Sequence, residues 1–150
     1  MIKSSRPLFA AVALAALLTG CASGVKYSEM ASSIPTLKAD EGRIYFFRSS
    51  SMMGAAIQPE IRLNDNVVGK SQPGGFFYVD RPAGQYSAAT SKDAEKTLSF
   101  SLNAGETKYV RTAVSFGLLA GGITPTLEAT ELASKELPSL SFTGEATAAK

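Results

Sequence analysis

A strict alternation of polar and apolar residues in the second half of the chain constrains the fold most. Residues 97–102 alternate at every step, and residues 108–116 do so again. A period of two is typical of a β-strand with one buried and one solvated face. Small and polar residues at 103–106 join the two segments, so we predict a strand pair connected by a tight turn. The apolar side of the second strand comprises Val110, Val114 and Phe116.

Short segments of aromatic and β-branched residues recur from Gly42 onward, about 8 to 14 residues apart and separated by turn residues. This spacing favours an antiparallel sandwich or a small barrel. We predict an all-β fold, a single antiparallel β-sandwich of seven to eight short strands over residues 42–138. A short helix is expected at 131–137. The other expected strands are 43–48, with both faces buried, and 60–63, 67–70, 76–79, 85–88 and 126–130.

The first twenty residues have the composition of a secretory signal. A short basic start precedes an apolar run at 7–18, which is shorter than the roughly 20 residues of a transmembrane helix. The junction Leu18-Thr19-Gly20-Cys21 resembles the bacterial lipobox. That resemblance implies cleavage between Gly20 and Cys21, a diacylglyceryl group on the sulfur and N-acylation. The alternative is an ordinary signal peptide followed by an incidental cysteine.

The sequence therefore divides into four predicted parts. Residues 1–20 are the lipoprotein signal peptide, and residues 21–41 are a lipidated N-terminus and tether. One helical turn near 27–31 is allowed, and Ile34 and Leu37 could pack part of the tether onto the domain edge. Residues 42–138 form the β-sandwich domain, and the small, polar residues 139–150 form a flexible tail.

Composition excludes several function classes. The chain has no histidine and one cysteine, which removes imidazole catalysis, intramolecular disulfides and multi-thiolate metal sites. Its net charge of +2 comes from Lys3 and Arg6 in the signal peptide, so the remaining chain is balanced and nucleic-acid binding is not expected. We expect no catalytic residue, no metal and no cofactor.

Three sets of residues are candidates for chemistry, and a structural interpretation is favoured for each. The close carboxylates fall in expected turns, in the tether or on solvated faces, where solvation disfavours a catalytic role. The serines at 49–51 have only Lys70 or Lys92 as a base, and a flexible loop is the simpler interpretation. Residues 64–66 indicate a turn rather than a calcium loop. The close carboxylates are Asp40 with Glu41, Asp93 with Glu95, and Glu128 with Glu131.

Several segments in order resemble a family of bacterial lipoproteins whose shared domain has no assigned function. Asp65-Asn66 and Lys108 depart from the family outline at surface positions. Residues 61–86 also resemble PEGA-type and transthyretin-like sandwich units, which implies a binding or spacer module. The matching segments are Gly42-Arg43-Ile44-Tyr45-Phe46-Phe47-Arg48, residues 61–69, residues 76–79, Pro82-Ala83-Gly84-Gln85-Tyr86, and residues 104–111.

Two apolar connections, at 52–57 and 116–123, are candidates for contact with a partner or a membrane. The alternative is that they fold back into the core or pair as a hairpin. The candidate contact residues are Met52, Met53, Leu118 and Leu119. The tyrosines Tyr45, Tyr78, Tyr86 and Tyr109 could form one aromatic ligand face, although cross-strand pairs are more common.

We thus expect a non-enzymatic, lipid-anchored cell-envelope protein. In a Gram-negative host, the Ala22 that follows the cysteine favours the outer membrane, with the domain in the periplasm. Its expected partners are the membrane, through lipidated Cys21, and an unidentified envelope protein or polymer. Two alternatives are a small hydrolase of peptidoglycan or lipid and a small-ligand carrier.

Overall fold

Nine β-strands form two sheets within residues 21–92, 94–116 and 121–144, the residues described by the computed structural model. The strands are β1 Glu41–Phe47, β2 Glu60–Leu63, β3 Asn66–Lys70, β4 Gly75–Pro82, β5 Gly84–Ala89, β6 Thr97–Leu102, β7 Thr107–Ser115, β8 Gly122–Leu127 and β9 Ser141–Phe142. The helices are α1 Tyr27–Met30 and α2 Thr130–Glu136, with short 3-10 helices at Ala31–Ser33, Ala94–Lys96 and Leu137–Ser139.

The sheet order confirms the all-β sandwich. One sheet runs β8-β7-β1-β4-β9 and the other β3-β2-β5-β6. Most neighbours are antiparallel, as expected, but β1 pairs with β7 and β4 with β9 in parallel. Each parallel pair joins strands far apart in sequence, with the other sheet or a helix between them, which is the long crossover that parallel pairing needs.

The core between the sheets follows from the alternation of β1. Ile44 and Phe46 point inward and are fully buried, and the Phe46 and Phe77 rings stack with centroids 5.1 Å apart. Tyr45 and Phe47 point to the other face of the sheet and are also buried, as the aromatic run predicted. Helices α1 and α2 cover this second face, which is why β1 tolerates apolar residues at every position.

The segment before β1, predicted as a tether, is packed on the domain. The Ala22 N–H donates to the Pro73 carbonyl at 3.0 Å, and Lys26 forms an isolated bridge with Ser141. The predicted helical turn is α1. Further along, the Pro35 carbonyl accepts a hydrogen bond from the Arg43 guanidinium at 2.6 Å. Side chains from this segment therefore contribute to the outer core rather than to a free linker.

The C-terminal part corrects two expectations. The predicted flexible tail begins inside a folded region, because β9 follows Pro138 and pairs with the start of β4. The last large strand is β8, which begins at Gly122, whereas residues 126–130 were predicted. Gly122 is paired with Ser115, and Pro125 lies opposite Thr112. This edge strand was not predicted at its full length because glycine and proline are uncommon inside strands.

The sandwich has two ends with different connections. The apical end is where β1 and β7 finish and β2, β4 and β8 begin; the basal end is the opposite one, with the turns at 64–65, 83 and 103–106. Among the described residues, no helix is long and apolar enough to cross a membrane.

Candidate functional site

A buried arginine shapes the apical connection between β1 and β2. Arg48 is 4% exposed, and its guanidinium donates to the carbonyls of Gly54 at 2.8 Å, Ile57 at 2.7 Å and Ser71 at 3.3 Å. Burial lowers the pKa of Arg48, although an arginine side chain remains charged at any physiological pH. The three carbonyls fix the course of the loop, so its apolar residues are held in place.

Three apolar residues of this loop project their side chains into solvent. Met52 is 86% exposed and Met53 is 61% exposed, and Ile57 is exposed as well. Phe116, expected on the core side of β7, is 82% exposed because it lies beyond the last pair of the β7–β8 ladder, Ser115 with Gly122. Large exposed apolar side chains that lie close together mark contact surfaces.

These side chains lie at one end of the sandwich, because the loop that carries Met52, Met53 and Ile57 contacts the end of β7, the strand that precedes Phe116. A Cβ added to Gly54 would lie 2.6 Å from Cγ2 of Val114, so the loop lies directly on the end of β7. Phe116 follows two residues later. We name Met52, Met53, Ile57 and Phe116 the apical patch. Leu118 and Leu119, also predicted as contact residues, lie outside the described residues.

Cys21 lies at the same end of the sandwich. It is exposed, with a free thiol. The next residue, Ala22, is bonded to Pro73 in the β3–β4 connection. In turn the Gly74 N–H donates to the Arg48 carbonyl at 3.1 Å, and a Cβ added to Gly74 would lie 3.4 Å from Oγ of Ser50. Only the short Pro73–Gly74 stretch therefore separates the start of the folded chain from the patch-bearing loop.

A second cluster, on the outer face of the five-stranded sheet, brings together residues that the sequence did not associate. Arg111 binds Glu128 at 2.7 Å (Nε to Oε2), Glu136 at 2.6 Å (Nη2 to Oε2) and Ser49 at 2.6 Å (Nη1 to Oγ). Its guanidinium also lies 4.6 Å from the centre of the Phe47 ring. The carboxylate that shares Arg111 with Glu128 is therefore that of Glu136, whereas the sequence paired Glu128 with Glu131.

The electrostatics of this cluster are those of a structural ion network. Burial alone would raise the pKa of the Glu136 carboxyl, but hydrogen bonds from Arg111 and Ser49 outweigh burial and hold that pKa below its ordinary value. A general acid would instead need a raised pKa. The hydroxyl of Ser49 is bonded to Arg111, so the described contacts give it a guanidinium partner where the sequence offered only lysines.

The remaining predicted candidates are separated or structural. Asn64 and Asp65 have φ angles of 46° and 66°, which is the conformation of a type I′ hairpin turn. Asp93 lies outside the described residues. In the described part of the chain, no group of three or more carboxylate, histidine or cysteine side chains is placed to hold a metal ion.

The tyrosines do not form one face. Tyr45 lies beside Tyr78 and Tyr109 on the outer face of the five-stranded sheet, with ring centroids 5.7 and 5.4 Å away. Tyr27 of α1 covers them, and burial raises the pKa of both Tyr45 and Tyr109. Tyr86 lies on the other sheet and packs on Phe100. Tyr86 lies opposite Phe100, and Tyr45 lies opposite Tyr78 and Tyr109, so the cross-strand interpretation is correct for all four tyrosines.

Space for a small ligand is limited in the part of the chain that the structure describes. Between the sheets, around Phe46, Ile61 and Phe77, the packing leaves no volume for a water-sized molecule. A shallow, open depression of about 210 Å³ lies on the surface, lined by residues 106–109 and 127–130. That depression is remote from the apical patch.

Two face-to-face sheets with mostly antiparallel neighbours and a filled interior define a β-sandwich domain. The chain belongs to the DUF2846 family, described as a protein of unknown function, whose profile matches residues 38–123. It is also 26% identical over 116 residues to an uncharacterized protein of Haemophilus influenzae, covering 74% of this chain and 68% of that protein. No solved structure matches the chain. The predicted resemblance to a domain of unknown function is thus confirmed.

Proposed function

We propose that this protein is a lipid-anchored cell-envelope lipoprotein whose β-sandwich is a non-enzymatic binding or structural module. The observation that carries the proposal is the position of Cys21. The junction Leu18-Thr19-Gly20-Cys21 ends one residue before Ala22, whose N–H makes the hydrogen bond to Pro73. Cleavage before Cys21 would leave every described helix and strand intact, with the acylated residue at the edge of the fold.

Anchoring by this residue has a simple energetic basis. Each buried acyl CH₂ contributes about 0.8 kcal/mol, so one chain binds a membrane marginally while two or three bind it stably. In a Gram-negative host, Ala22 after the cysteine favours the outer membrane with the domain in the periplasm. Residues 61–86 resemble PEGA-type units in the spacing of a small turn and a Pro-x-Gly turn. This resemblance supports a binding or spacer role, and the function itself has to be argued from the site rather than from the fold.

The two alternatives have less support. A hydrolase would need a base or acid tuned near neutral pH, whereas the pKa of Glu136 is lowered by Arg111 and Ser49. A carrier would need an internal cavity, whereas the space around Phe46 and Phe77 is filled. The binding or structural module needs neither feature, because its surface loops make the contacts.

The test is acyl labelling in the native host. Cells that express the wild-type protein or Cys21→Ser are grown with a labelled fatty acid, with and without an inhibitor of the lipoprotein signal peptidase. We expect label on the wild type, none on Cys21→Ser, and accumulation of the longer precursor with the inhibitor. A matched control, the double variant Cys21→Ser/Ala22→Cys, keeps one thiol but moves it one residue out of the lipobox.

The control separates a lipobox from a reactive thiol. Label on the shifted cysteine would show that position relative to Gly20 does not matter, and absence of label on the wild type would remove the anchor. Either result contradicts the proposal and leaves Cys21 an ordinary exposed thiol of a secreted domain.

A further inference from the structure

We propose that the apical patch rests on the lipid bilayer that holds the acyl chains of Cys21, so the domain lies with its apical end against the membrane. This inference rests on the proposed lipid anchor and goes beyond it. It assigns Met52, Met53, Ile57 and Phe116 a lipid partner, and it fixes which end of the sandwich faces away from the membrane.

The described segment after the cysteine is bonded to the domain along its length. Ala22 is hydrogen-bonded to Pro73, Phe142 donates its N–H to the Val25 carbonyl at 2.8 Å, and Tyr27 donates to Leu140 at 2.9 Å. A chain bonded to the domain at these three points cannot also serve as a spacer. With acyl chains on Cys21, the domain would be held at the membrane surface by its apical end.

Cys21 also lies close to the apical patch. Gly74 follows Pro73 and lies against Ser50, and Met52 is only two residues further, at most about 7 Å of extended chain. The polar layer on each side of a bilayer is about 5–8 Å thick, and interfacial apolar side chains enter about 5–10 Å. An acylated Cys21 therefore brings the patch within reach of the acyl boundary.

The two ends of the sandwich also differ in the chemistry of their exposed residues. The patch presents two methionines and a phenylalanine that are each more than half exposed. At the basal end the turns present polar groups instead, such as Asn64, Asp65 and Glu106. Burying apolar side chains in lipid is favourable in proportion to their area, whereas the basal turns would lose hydration.

The loop that carries Met52 and Met53 is also held in place. Three carbonyls of the loop and its neighbour are bonded to Arg48, so Met52 and Met53 are displayed by an ordered loop. A pre-ordered apolar loop loses little conformational entropy on contact.

The experiment measures which side chains touch lipid in the acylated protein. Acylation consumes the sulfur of Cys21, the sole cysteine, so Met53→Cys, Phe116→Cys or Val67→Cys each introduces a single thiol for an environment-sensitive fluorophore. Val67 is the matched control, since it is 49% exposed and lies next to the basal 64–65 turn. Each labelled protein is reconstituted in phosphatidylethanolamine–phosphatidylglycerol vesicles with and without brominated acyl chains.

We expect a blue shift and a loss of fluorescence with brominated lipid at position 53 or 116 that exceed those at position 67. Equal quenching at all three positions would overturn the inference and leave the patch free for a protein partner. The wild-type protein, treated with the same fluorophore, keeps the two proposals distinct. A reactive thiol there would show that Cys21 is not acylated, and the anchor itself would then fail.

Discussion

The apical and basal ends of this sandwich are built by different means. At the basal end, tight turns of Asn, Asp, Pro and Gly close the strands through contacts between near neighbours in sequence, such as Asn103 N–H to Glu106 Oε2 at 2.8 Å. At the apical end, longer connections are held by Arg48, whose partners include a carbonyl 23 residues away. The comparison shows that the three most exposed large apolar side chains of the described residues, Met52, Met53 and Phe116, lie at the end that is ordered by a buried charge rather than by turn chemistry.

The sharpest way to test this difference is to remove one arginine from each end. Arg48→Met keeps an apolar stem but leaves buried carbonyls unpaired, so we expect the free energy of unfolding to fall by about 3 kcal/mol. Arg62→Met removes a basal guanidinium that is 46% exposed and paired with Glu60 at 3.1 Å, and it should cost no more than about 0.5 kcal/mol.

Urea titration followed by far-UV circular dichroism measures both, since the chain has no tryptophan. Similar losses for the two variants would contradict the view that the apical loop depends on Arg48. The same difference should appear in proteolysis, with cleavage near Met52 and Met53 in Arg48→Met.

A second pair of substitutions compares the ends at glycine. Gly54 has φ +66°, and an added Cβ would lie 2.6 Å from Val114, so Gly54→Ala should cost about 2–3 kcal/mol from strain and overlap. Gly105 has φ +77° with no neighbour within 4 Å of an added Cβ, so Gly105→Ala should cost about 1 kcal/mol from backbone strain alone. The difference in unfolding free energy measures the loop contact with β7, and equal costs would mean that the loop can move away from Val114.

Local pattern accounts for what the sequence predicted well. Alternation and flanking turn residues placed β1 to β7 within a few residues, because both signals lie inside each segment. Strand β9 was missed because its two residues are defined only by pairing with Gly75 and Phe76, far away in sequence. The apolar connections were predicted as contact candidates from composition, but the contact of Gly54 with Val114, which places the first connection on the end of β7, was not.

The Arg111 cluster was missed for the same reason. Glu136 lies on α2 and Ser49 follows β1, so nothing local links either residue to Arg111. A charged residue in an alternating strand was the only available signal, and it is shared by many solvated positions. Partners that meet only through topology cannot be identified from spacing along the chain.

The smallest effect that we predict is the pH dependence of stability that arises from one carboxylate near each end. The pKa of Glu136 is lowered, so its charged form stabilises the fold above the ordinary value of 4.5, and this contribution is lost as pH falls through the lower folded-state pKa. Glu136→Gln should cost about 1 kcal/mol at neutral pH, and the difference from wild type should shrink below about pH 4.

Glu106 near the basal end provides the matched case. A hydrogen bond from Lys108 lowers its pKa, with the Asn103 N–H adding to it, so the sign of its pH dependence is the same. Its partners are close in sequence and its pair with Lys108 is more exposed than the pair of Arg111 with Glu136, so Glu106→Gln should change stability less than Glu136→Gln. Unfolding measured at several pH values from neutral to acidic tests the order. A larger effect at Glu106 would mean that local turn contacts, rather than links between distant segments, contribute most to the electrostatic stability of this domain.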